Sequence, residues 1–379
     1  MDLDFDDAQQ ALRDMAREVC RDYATIEVVR AMEDDAHGVP SELWKQLAET
    51  GLLGIRIPEG HGGAQQGLLE TAILYEEFGR TLAPTPHLAS CVISAGILER
   101  AGSPDQKGWL EAIAAGSAIV TPAWLEPEGS CSAAGIATRA RRDGDGFRLE
   151  GSKRHVVYAQ AADRLIVVAR SGESGGDDEA IDLFLVDPNA EGVRLTQQLA
   201  LASDTQYRVD FDQVALTAED RIGTAGTGWH TLCEVLYEAA VLNAAWANGG
   251  CEQALALTTQ YAKDRIQFGK PIGAFQSIAH YLADALTHLD GSRPLTHQAA
   301  WAHDQGRSLH ELAPMAKLFA CQGFRDTTAK CQQIYGGIGF TVEGDIQLYF
   351  RRAKQLQLSW WDTHHLEELI AQATLDDPA

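Results

Sequence analysis

Residues 261–272 read YAKDRIQFGKPI, and this stretch joins two long segments of helical periodicity. It places cations at the end of one helix, then a Gly-Lys-Pro turn, and then a new helix that starts near Phe275. The planar guanidinium of Arg265 could bind a diphosphate, because its fork of N–H donors matches phosphate oxygens. A solvated arginine at a corner between two helices is the reading that these residues alone favour.

The segments on both sides of this corner predict a helical bundle. No proline interrupts residues 229–266, so they are expected to form one long helix. Further helices are expected over about 275–302, with a kink or break at Pro294, then up to about 335, and over 346–373. The apolar periodicity of residues 6–115 is also helical, whereas 117–222 hold short β-rich runs separated by turn sequences.

The order of these patterns predicts an α+β protein with three domains. An N-terminal helical domain would cover residues 1–115, an antiparallel β-sheet domain 116–222, and a C-terminal four-helix bundle 223–379. Three packed units also suit the length of 379 residues, because single cores stop growing at roughly 250–300 residues.

Composition excludes several classes of function. With 31 Lys and Arg against 54 Asp and Glu, the net charge of −23 argues against nucleic-acid binding and against a membrane-surface role. No apolar run approaches the roughly 18–20 residues of a membrane span, and the acidic N-terminus does not resemble a signal peptide. Seven scattered cysteines without a C-x-x-C pair indicate a cytoplasmic protein that has neither a zinc site nor a disulfide framework.

A second distinctive string, CQQIYGGIGFTVEGD, covers residues 331–345. Its glycines permit positive φ and a close approach of the backbone to a ligand, and their N–H groups could meet an anion. A glycine-rich helix end is the commoner meaning of such a string. It matches neither a Walker loop nor the dinucleotide fingerprint that follows a strand.

Taken together, these strings closely resemble the acyl-CoA dehydrogenase family. Residues 53–63, LGIRIPEGHGG, look like its N-terminal loop, and residues 75–80, YEEFGR, look like its "E-E-L-G-R" helix. The order of helices, β unit and helices also agrees. Residues 151–156 and 336–349 are similar to the short branch of the family found in bacterial steroid and fatty-acid catabolism.

The resemblance implies FAD, an acyl-CoA substrate and an electron-transfer flavoprotein or similar acceptor. It implies a tetramer, formed either by identical chains or with a paralogous subunit. Arg265 would hold the flavin diphosphate, and a neighbouring subunit would contribute Gln333, Gly336 and Gly337. The remaining implied FAD contacts are Gln267, Phe268 and Gln276.

The implied chemistry is abstraction of the proton at Cα and transfer of a hydride from Cβ to flavin N5, and it needs a base. The family's two glutamate positions fall on Trp360 and Ala239, and the branch's additional position falls on Trp246. Glu238 is one residue from the helical position and is the candidate catalytic base, although an exposed helical acid is an equal alternative. Asp362 is a weaker candidate.

The β domain also departs from the family pattern. The usual "T-E-P-x-A-G-S-D" stretch reads LEPEGSCS at residues 125–132. The aromatic residue that covers the flavin in many members falls on His155, and a flavin-bonding threonine falls on Val157, which cannot donate.

These departures keep other functions open. The chain could be a degenerate partner subunit of a heteromeric dehydrogenase, contributing structure and part of the flavin site but no base. A flavoprotein with oxidase or oxygenase chemistry is a third possibility. His364-His365 and the Asp284/His288 pair are weak evidence for a metal, so none is expected. The basic residues Arg351, Arg352 and Lys354 are expected to satisfy helix carbonyls or acids rather than CoA.

Overall fold

The computed structural model describes residues 4–127, 131–172, 177–202 and 204–376. Glu128, Gly129 and Ser130 of the expected flavin stretch lie outside these residues, as does part of the expected loop at 171–179. The chain forms two compact units. The helical unit contains residues up to 29, 67–83 and 240 onward, and the sheet unit contains 30–66 and 84–239.

The described residues form eleven α-helices. They are α1 (Asp7–Tyr23), α2 (Ile26–Ala31), α3 (Ser41–Glu49), α4 (Leu68–Thr81), α5 (Ala95–Ala101), α6 (Pro104–Ala114), α7 (Gly228–Asp264), α8 (Gln276–Asp304), α9 (Leu312–Tyr335), α10 (Ile346–Leu358) and α11 (Thr363–Ala371). Short 3₁₀ segments include Glu59–His61 and Gly336–Phe340, and a π-helical segment, Leu88–Ser94, leads directly into α5.

The sheet unit is built around one eight-stranded sheet, as the β-rich runs predict. Its strands are β1 (Val120–Ala123), β2 (Arg139–Asp143), β3 (Gly146–Val157), β4 (Arg164–Arg170), β5 (Ile181–Val186), β6 (Val193–Gln198), β7 (Gln206–Leu216) and β8 (Arg221–Ile222). The strand order is β6-β7-β3-β2-β4-β5-β8, with β1 also paired to β4. The core is apolar and includes an edge-to-face pair of Phe147 and Phe184, whose ring centroids are 5.1 Å apart.

The sheet is mostly but not entirely antiparallel. β1 runs parallel to β4, and β2 makes a short parallel contact with the same strand. A parallel pair needs a crossover connection, and the β2–β3 hairpin lies in the connection between β1 and β4. The sequence predicted the strands, but the pairing partner of β1 depends on this crossover.

In the helical unit, α9 packs against α8, α10 and α11, and α4 packs against α1 and α8. The structure has no break at Pro294, one of the two outcomes expected there, because α8 is a continuous helix from Gln276 to Asp304. Proline removes one helical hydrogen bond, and the packing of α8 against α4 and α9 offsets that loss.

The single last helix expected over 346–373 is wrong, because α10 and α11 are separated at residues 359–362. The buried Lys317 ammonium donates to the carbonyl oxygens of Trp360 and Trp361 at 3.0 and 2.8 Å. Trp361 has φ 57°, and the Asp362 carboxylate accepts a hydrogen bond from the His365 N–H at 3.0 Å. A buried cation and a side-chain cap therefore stabilise this turn.

A network of ion pairs lies inside the helical unit. Glu77 of α4 is 1% exposed and pairs with Arg17 at 2.8 Å and with Arg80 at 3.1 Å. Its neighbour Glu76 pairs with Arg293 at 3.1 Å and lies 2.9 Å from the His297 ring. Buried carboxylates need such partners, so this network couples α1, α4 and α8.

The N-terminus of α4 is capped by a residue far away in sequence. The Asp304 carboxylate, at the end of α8, accepts hydrogen bonds from the N–H groups of Leu68 and Leu69 at 2.7 and 3.0 Å. Burial acts to raise the pKa of Asp304, but hydrogen bonds from His303 and from these two N–H groups leave it below its ordinary value. The ionised carboxylate is therefore favoured in the folded chain.

We expect Asp304→Ala to lower the free energy of unfolding by about 1–2 kcal/mol, because two helix N–H groups lose their acceptor. The pKa of Asp304 is lower in the folded chain than in the unfolded chain, so ionised Asp304 stabilises the fold at pH values above its unfolded pKa. This contribution is lost as the pH falls through the folded pKa. The deficit of the variant should therefore shrink below about pH 4. Urea unfolding at pH 7 and pH 3.5 measures both effects.

Asp284→Ala is the matched control, because Asp284 is an exposed aspartate on the same helix. This control should stay within about 0.5 kcal/mol of the unmodified chain at both pH values. An Asp304→Ala variant as stable as the control would contradict the capping role.

Candidate active site

A pocket in the sheet unit contains the predicted base, Glu238. Arg56 follows α3 in the 53–63 loop, Arg100 lies on α5, and Glu238 lies on α7. The other lining residues are Ile57, Pro58, Cys91, Val92, Ala95, Gly96, Glu99 and Leu110. Gly96 eases the close approach of α5 to α7, because a Cβ there would lie 3.0–3.2 Å from side-chain atoms of Arg100 and Val235.

Two arginines hold the Glu238 carboxylate from its two sides. Arg56 Nη2 donates to Glu238 Oε2 at 2.7 Å, and Arg100 Nη2 donates to Oε1. The Glu238 side chain is only 4% exposed, against 17% for Arg56 and 35% for Arg100. Arg100 Nη1 also donates to the Gly96 carbonyl at 3.1 Å. Both carboxylate oxygens therefore accept a charge-assisted hydrogen bond, and the side chain is held in place from two directions.

Neither Cys91 of the pocket wall nor His87, four residues earlier in the chain, is suited to nucleophilic chemistry. Burial raises the pKa of the Cys91 thiol, so it stays protonated at neutral pH. His87, just before the π-helical segment, is fully buried and its ring nitrogen lies 3.0 Å from the Leu52 carbonyl. Burial lowers the pKa of His87 to about 4, so this imidazole is neutral. The pocket is thus suited to orienting polar groups or moving a proton.

The family's other base positions carry no acid in this fold. Ala239 is fully buried beside Glu238 on α7. In the helical unit, the Trp246 ring packs against Phe324 and lies 5.5 Å from the Arg352 guanidinium. The Trp360 ring lies 5.1 Å from the Lys317 ammonium. The weaker candidate Asp362 is exposed and acts as the cap of α11.

The expected flavin-binding residues all lie in the helical unit, and four of them surround one corner. Arg265 follows α7 directly, and Gln267 ends β9 (Ile266–Gln267), which pairs with β10 (Lys270–Pro271). Phe268 and Gly269 form the turn with φ 53° and 79°, a pair of values that favours glycine at the second position. Gln276 begins α8 on the other side of the corner.

Stacked tyrosines bring the second string next to this corner. The rings of Tyr261, near the end of α7, and Tyr335, at the end of α9, are 4.2 Å apart and nearly parallel. Gln333 is an exposed residue in the last turn of α9, and Gly336 and Gly337 follow at once. Gly336 has φ 66°, so glycine is required there by the backbone.

The corner fits an anionic ligand. Arg265 is exposed, and no carboxylate of the described residues pairs with its guanidinium. Phe268, three residues further along the same corner, is 91% exposed, which leaves a large apolar ring available for contact. A free guanidinium next to an exposed ring matches the diphosphate and the aromatic part of a dinucleotide.

The β-domain stretch that departs from the family pattern is anchored by a buried ion pair. Lys153 Nζ, on β3, lies 2.5 Å from Glu126 Oε1 and is fully buried. The Glu126 carboxylate also accepts the N–H groups of Ala137 and Thr138 at 2.8 and 3.0 Å. Burial lowers the pKa of Lys153 to about 8 although Glu126 acts to raise it.

The two sheet positions that differ from the family's flavin contacts lie close to this pair on β3. His155 is exposed, with φ 54°, and its ring nitrogen lies 2.7 Å from the Gln206 side-chain oxygen. The Val157 carbonyl accepts a hydrogen bond from the Thr121 hydroxyl at 2.8 Å. The Val157 side chain has no hydrogen-bond donor, so it cannot replace the flavin-bonding threonine of the family pattern.

We expect Lys153→Met to lower the free energy of unfolding by about 3–5 kcal/mol, because it leaves the Glu126 carboxylate buried without its cation. Adding Glu126→Gln should recover part of this loss, since the unpaired charge disappears. Thermal and urea unfolding of the two single variants and the double variant measure the coupling. Equal and additive losses would show that the pair does not act as a unit.

The described residues hold neither a metal-binding cluster nor a membrane-spanning helix. They contain no group of three or more His, Cys, Asp or Glu side chains arranged to hold a metal ion. None of their helices combines the length and apolar character that a bilayer crossing requires.

Sequence reasoning found Glu238 but not its partners. Arg56 is 182 residues and Arg100 138 residues away along the chain. Arg56 lies within the loop that carries the family resemblance, which is the one available signal for it. Arg100 and Glu99 have the pattern of an ordinary helix end, and only the packing of α5 against α7 brings them to this pocket.

Comparison with known proteins defines the class of this chain. Family models of the acyl-CoA dehydrogenase N-terminal, middle and C-terminal domains match residues 6–117, 122–214 and 226–360. The chain therefore belongs to the acyl-CoA dehydrogenase family, oxidoreductases that act on CH–CH groups. The predicted order of helices, sheet and helices is confirmed.

The similarity extends over nearly the whole chain. Cyclohex-1-ene-1-carbonyl-CoA dehydrogenase of Geobacter metallireducens is 31% identical over 94% of this chain and 96% of its own length. A structure of the electron-transferring flavoprotein of Acidaminococcus fermentans matches with a TM-score of 0.93 and 28% identity, and the ChsE4-ChsE5 complex from Mycobacterium tuberculosis matches with 0.90 and 27%. Both alignments cover all of either chain.

Proposed function

We propose that this chain is an FAD-dependent dehydrogenase that introduces a double bond between Cα and Cβ of an acyl-CoA thioester. Membership of the family supports this function, since acyl-CoA dehydrogenases depend on FAD. The single observation in the structure that carries it is the exposed Arg265 guanidinium, which no carboxylate of the described residues neutralises, beside the exposed ring of Phe268.

The reaction removes a proton from Cα and a hydride from Cβ. Bound FAD supplies the acceptor for the hydride at its N5 atom and thereby the two-electron oxidation. The chain's own residues must hold the cofactor, orient the thioester and take up the Cα proton. We assign the cofactor contacts to the corner between α7 and α8 and to the end of α9, namely Arg265, Gln267, Phe268, Gln276, Gln333, Gly336 and Gly337.

Glu238 is the residue that we propose takes up the Cα proton. It is a buried carboxylate that lines a pocket, whereas the family's usual positions hold Ala239 and Trp360. Its bonds to Arg56 and Arg100 oppose this role, because they engage both oxygens in the chain without substrate. A base in this place would have to accept the proton on an oxygen that already accepts a hydrogen bond from an arginine.

A specific observation favours a second candidate function. Both oxygens of Glu238 are bonded to arginines, and tryptophans occupy positions 246 and 360, where relatives have glutamates. These features support a role as a partner subunit that contributes structure and part of the flavin site but no base. Exposed apolar side chains of the helical unit support assembly with further subunits; they include Phe268, Ile338, Phe340 and Val342. The ChsE4-ChsE5 complex is a two-component relative. We therefore propose a tetramer, built from identical chains or with a paralogue.

The remaining assignments follow from the same proposal. We assign an electron-transfer flavoprotein or similar protein as the acceptor, with support from the match to the flavoprotein structure of Acidaminococcus fermentans. A cytoplasmic location is supported by the lack of disulfides among the described cysteines. The resemblance to the steroid and fatty-acid branch supports a role in lipid or steroid breakdown.

We expect Arg265→Ala to reduce FAD affinity by about tenfold to a hundredfold, because a charge-assisted contact to the diphosphate is lost. The measurement is the ratio of flavin absorbance to protein in purified samples, followed by FAD titration of the apoprotein. Lys263→Ala removes an exposed cation two residues earlier and is the matched control for net charge. If Arg265→Ala retains as much flavin as Lys263→Ala, Arg265 does not bind the diphosphate.

If Glu238 is the base, Glu238→Gln should slow flavin reduction by an acyl-CoA substrate by about 10²–10⁴-fold at unchanged flavin content. Stopped-flow bleaching of the flavin absorbance measures this rate. An unchanged bleaching rate would show that another group takes up the proton.

Co-expression separates the two candidate functions. The chain alone should purify with FAD and bleach with acyl-CoA if it is a complete dehydrogenase. If flavin and bleaching are found only when a paralogous chain is co-expressed, the partner-subunit function is correct. Glu99→Gln is the matched control for the bleaching rate of Glu238→Gln, because Glu99 is an exposed acid of the same pocket.

A further inference from the structure

The stacked tyrosines of the helical unit join the ends of two helices through both their rings and their hydroxyl groups. The ring planes of Tyr261 and Tyr335 are inclined by only 12°, with centroids 4.2 Å apart. Tyr335 Oη donates to the Leu257 carbonyl of α7 at 3.3 Å, and Tyr261 Oη lies 3.5 Å from the Tyr335 carbonyl oxygen. Burial raises the pKa of Tyr335 to about 12, so its hydroxyl keeps the proton that it donates. The end of α9 is thus fixed to the last turns of α7.

On the α7 side, Tyr261 belongs to the backbone segment that carries Arg265. The Arg265 N–H donates to the Tyr261 carbonyl at 2.8 Å, and the Ile272 N–H donates to the Arg265 carbonyl at the same distance of 2.8 Å. Tyr261 therefore lies one helical turn before Arg265 on the same face. Because the Arg265 side chain is exposed, its place depends on this backbone, and the backbone is held by the Tyr261 ring.

On the α9 side, the glycine-rich 3₁₀ turn Gly336–Phe340 folds back onto Tyr335. The buried Gln332 side chain donates to the Gly339 carbonyl at 3.2 Å. A Cβ atom at Gly339 would lie 2.8 Å from the Gln332 carbonyl oxygen and 3.0 Å from Tyr335 Cβ, so the turn is in close contact with the last turn of α9. The place of this turn is therefore set by the residues that carry the second ring of the stack.

We propose that Tyr261 and Tyr335 are positioning residues of the cofactor site, whose stack holds the Gly336–Phe340 turn in a fixed place relative to Arg265 before the ligand binds. That the ligand is FAD rests on the proposed function, whereas the positioning role rests on the contacts of the two rings. An aromatic pair stabilises beyond the area that it buries. A site that is already ordered also avoids the entropy cost of ordering two segments on binding.

Two substitutions at one position test the stack. Tyr335→Leu removes the ring, whereas Tyr335→Phe keeps the ring and removes only the hydroxyl. We expect Tyr335→Leu to weaken FAD binding by about threefold to tenfold and Tyr335→Phe to stay within about twofold of the unmodified chain. The measurement is quenching of flavin fluorescence when FAD is titrated into the full-length protein freed of flavin.

Phe319→Leu is the matched control, because Phe319 forms another stacked pair of the same unit, with His288 at a centroid distance of 4.0 Å. Phe319 lies in the first half of α9, whereas Tyr335 is its last residue, so this control should leave FAD affinity unchanged.

Trypsin provides a second measurement that does not require FAD. Without the stack, the corner should open more often, so Tyr335→Leu should be cut after the exposed Lys263 and Arg265 at least about threefold faster than the unmodified chain. Tyr335→Phe and Phe319→Leu should be cut there at the unmodified rate. Mass spectrometry of the fragments separates this local opening from general destabilisation, which would accelerate cleavage throughout the chain.

The outcomes separate this inference from the proposed function. If Tyr335→Leu binds FAD as tightly as the unmodified chain, or if Tyr335→Phe loses as much affinity as Tyr335→Leu, the stack does not position the site, and the dehydrogenase function is unaffected. If the unmodified chain does not bind FAD, the proposed cofactor is wrong, and the cleavage rates alone decide whether the stack holds the corner. If Tyr335→Leu does not fold, Tyr261→Leu removes the other ring of the pair and should produce the same losses.

Discussion

Buried charge is the constraint on which the described parts of this protein depend. A carboxylate or ammonium that is removed from water must keep partners of opposite charge or hydrogen-bonding groups. Glu238 is held by two arginines in the sheet unit, and Lys153 is held there by Glu126. Lys317 in the helical unit is instead held by the carbonyls of a turn. Each of these groups connects segments that are far apart along the chain.

Helix α7 shows how one element serves several purposes. Its first turns present Glu238 to the pocket of the sheet unit, and its last turn leads to Arg265 in the helical unit. Between them, Gly249 and Gly250 leave room for the Glu76 carbonyl and the Phe324 ring, which any side chain would strike. The glycines weaken the helix intrinsically by about 1 kcal/mol each, and close packing is what requires them.

The need to pair buried charges also affects the choice of a catalytic base. A family member needs a base, yet tryptophans stand at two of its glutamate positions, and one of these rings lies against the Lys317 ammonium. The acid that is present, Glu238, is already paired with two guanidiniums. The proposed base is therefore held by the same ion pairs that compensate its buried charge.

Local pattern determined the elements of this protein, because periodicity, proline and glycine act over a few residues. The sequence directly predicted the long helix before Arg265, the β-rich middle and the turn at Gly269. The strings that begin at residues 261 and 331 indicated the family. Only the tertiary structure decided that Pro294 stays inside α8, that β1 pairs with β4, and that Arg56 and Arg100 meet at Glu238. These outcomes depend on contacts between segments tens to hundreds of residues apart, and a one-dimensional pattern does not encode which side chains will share a buried charge.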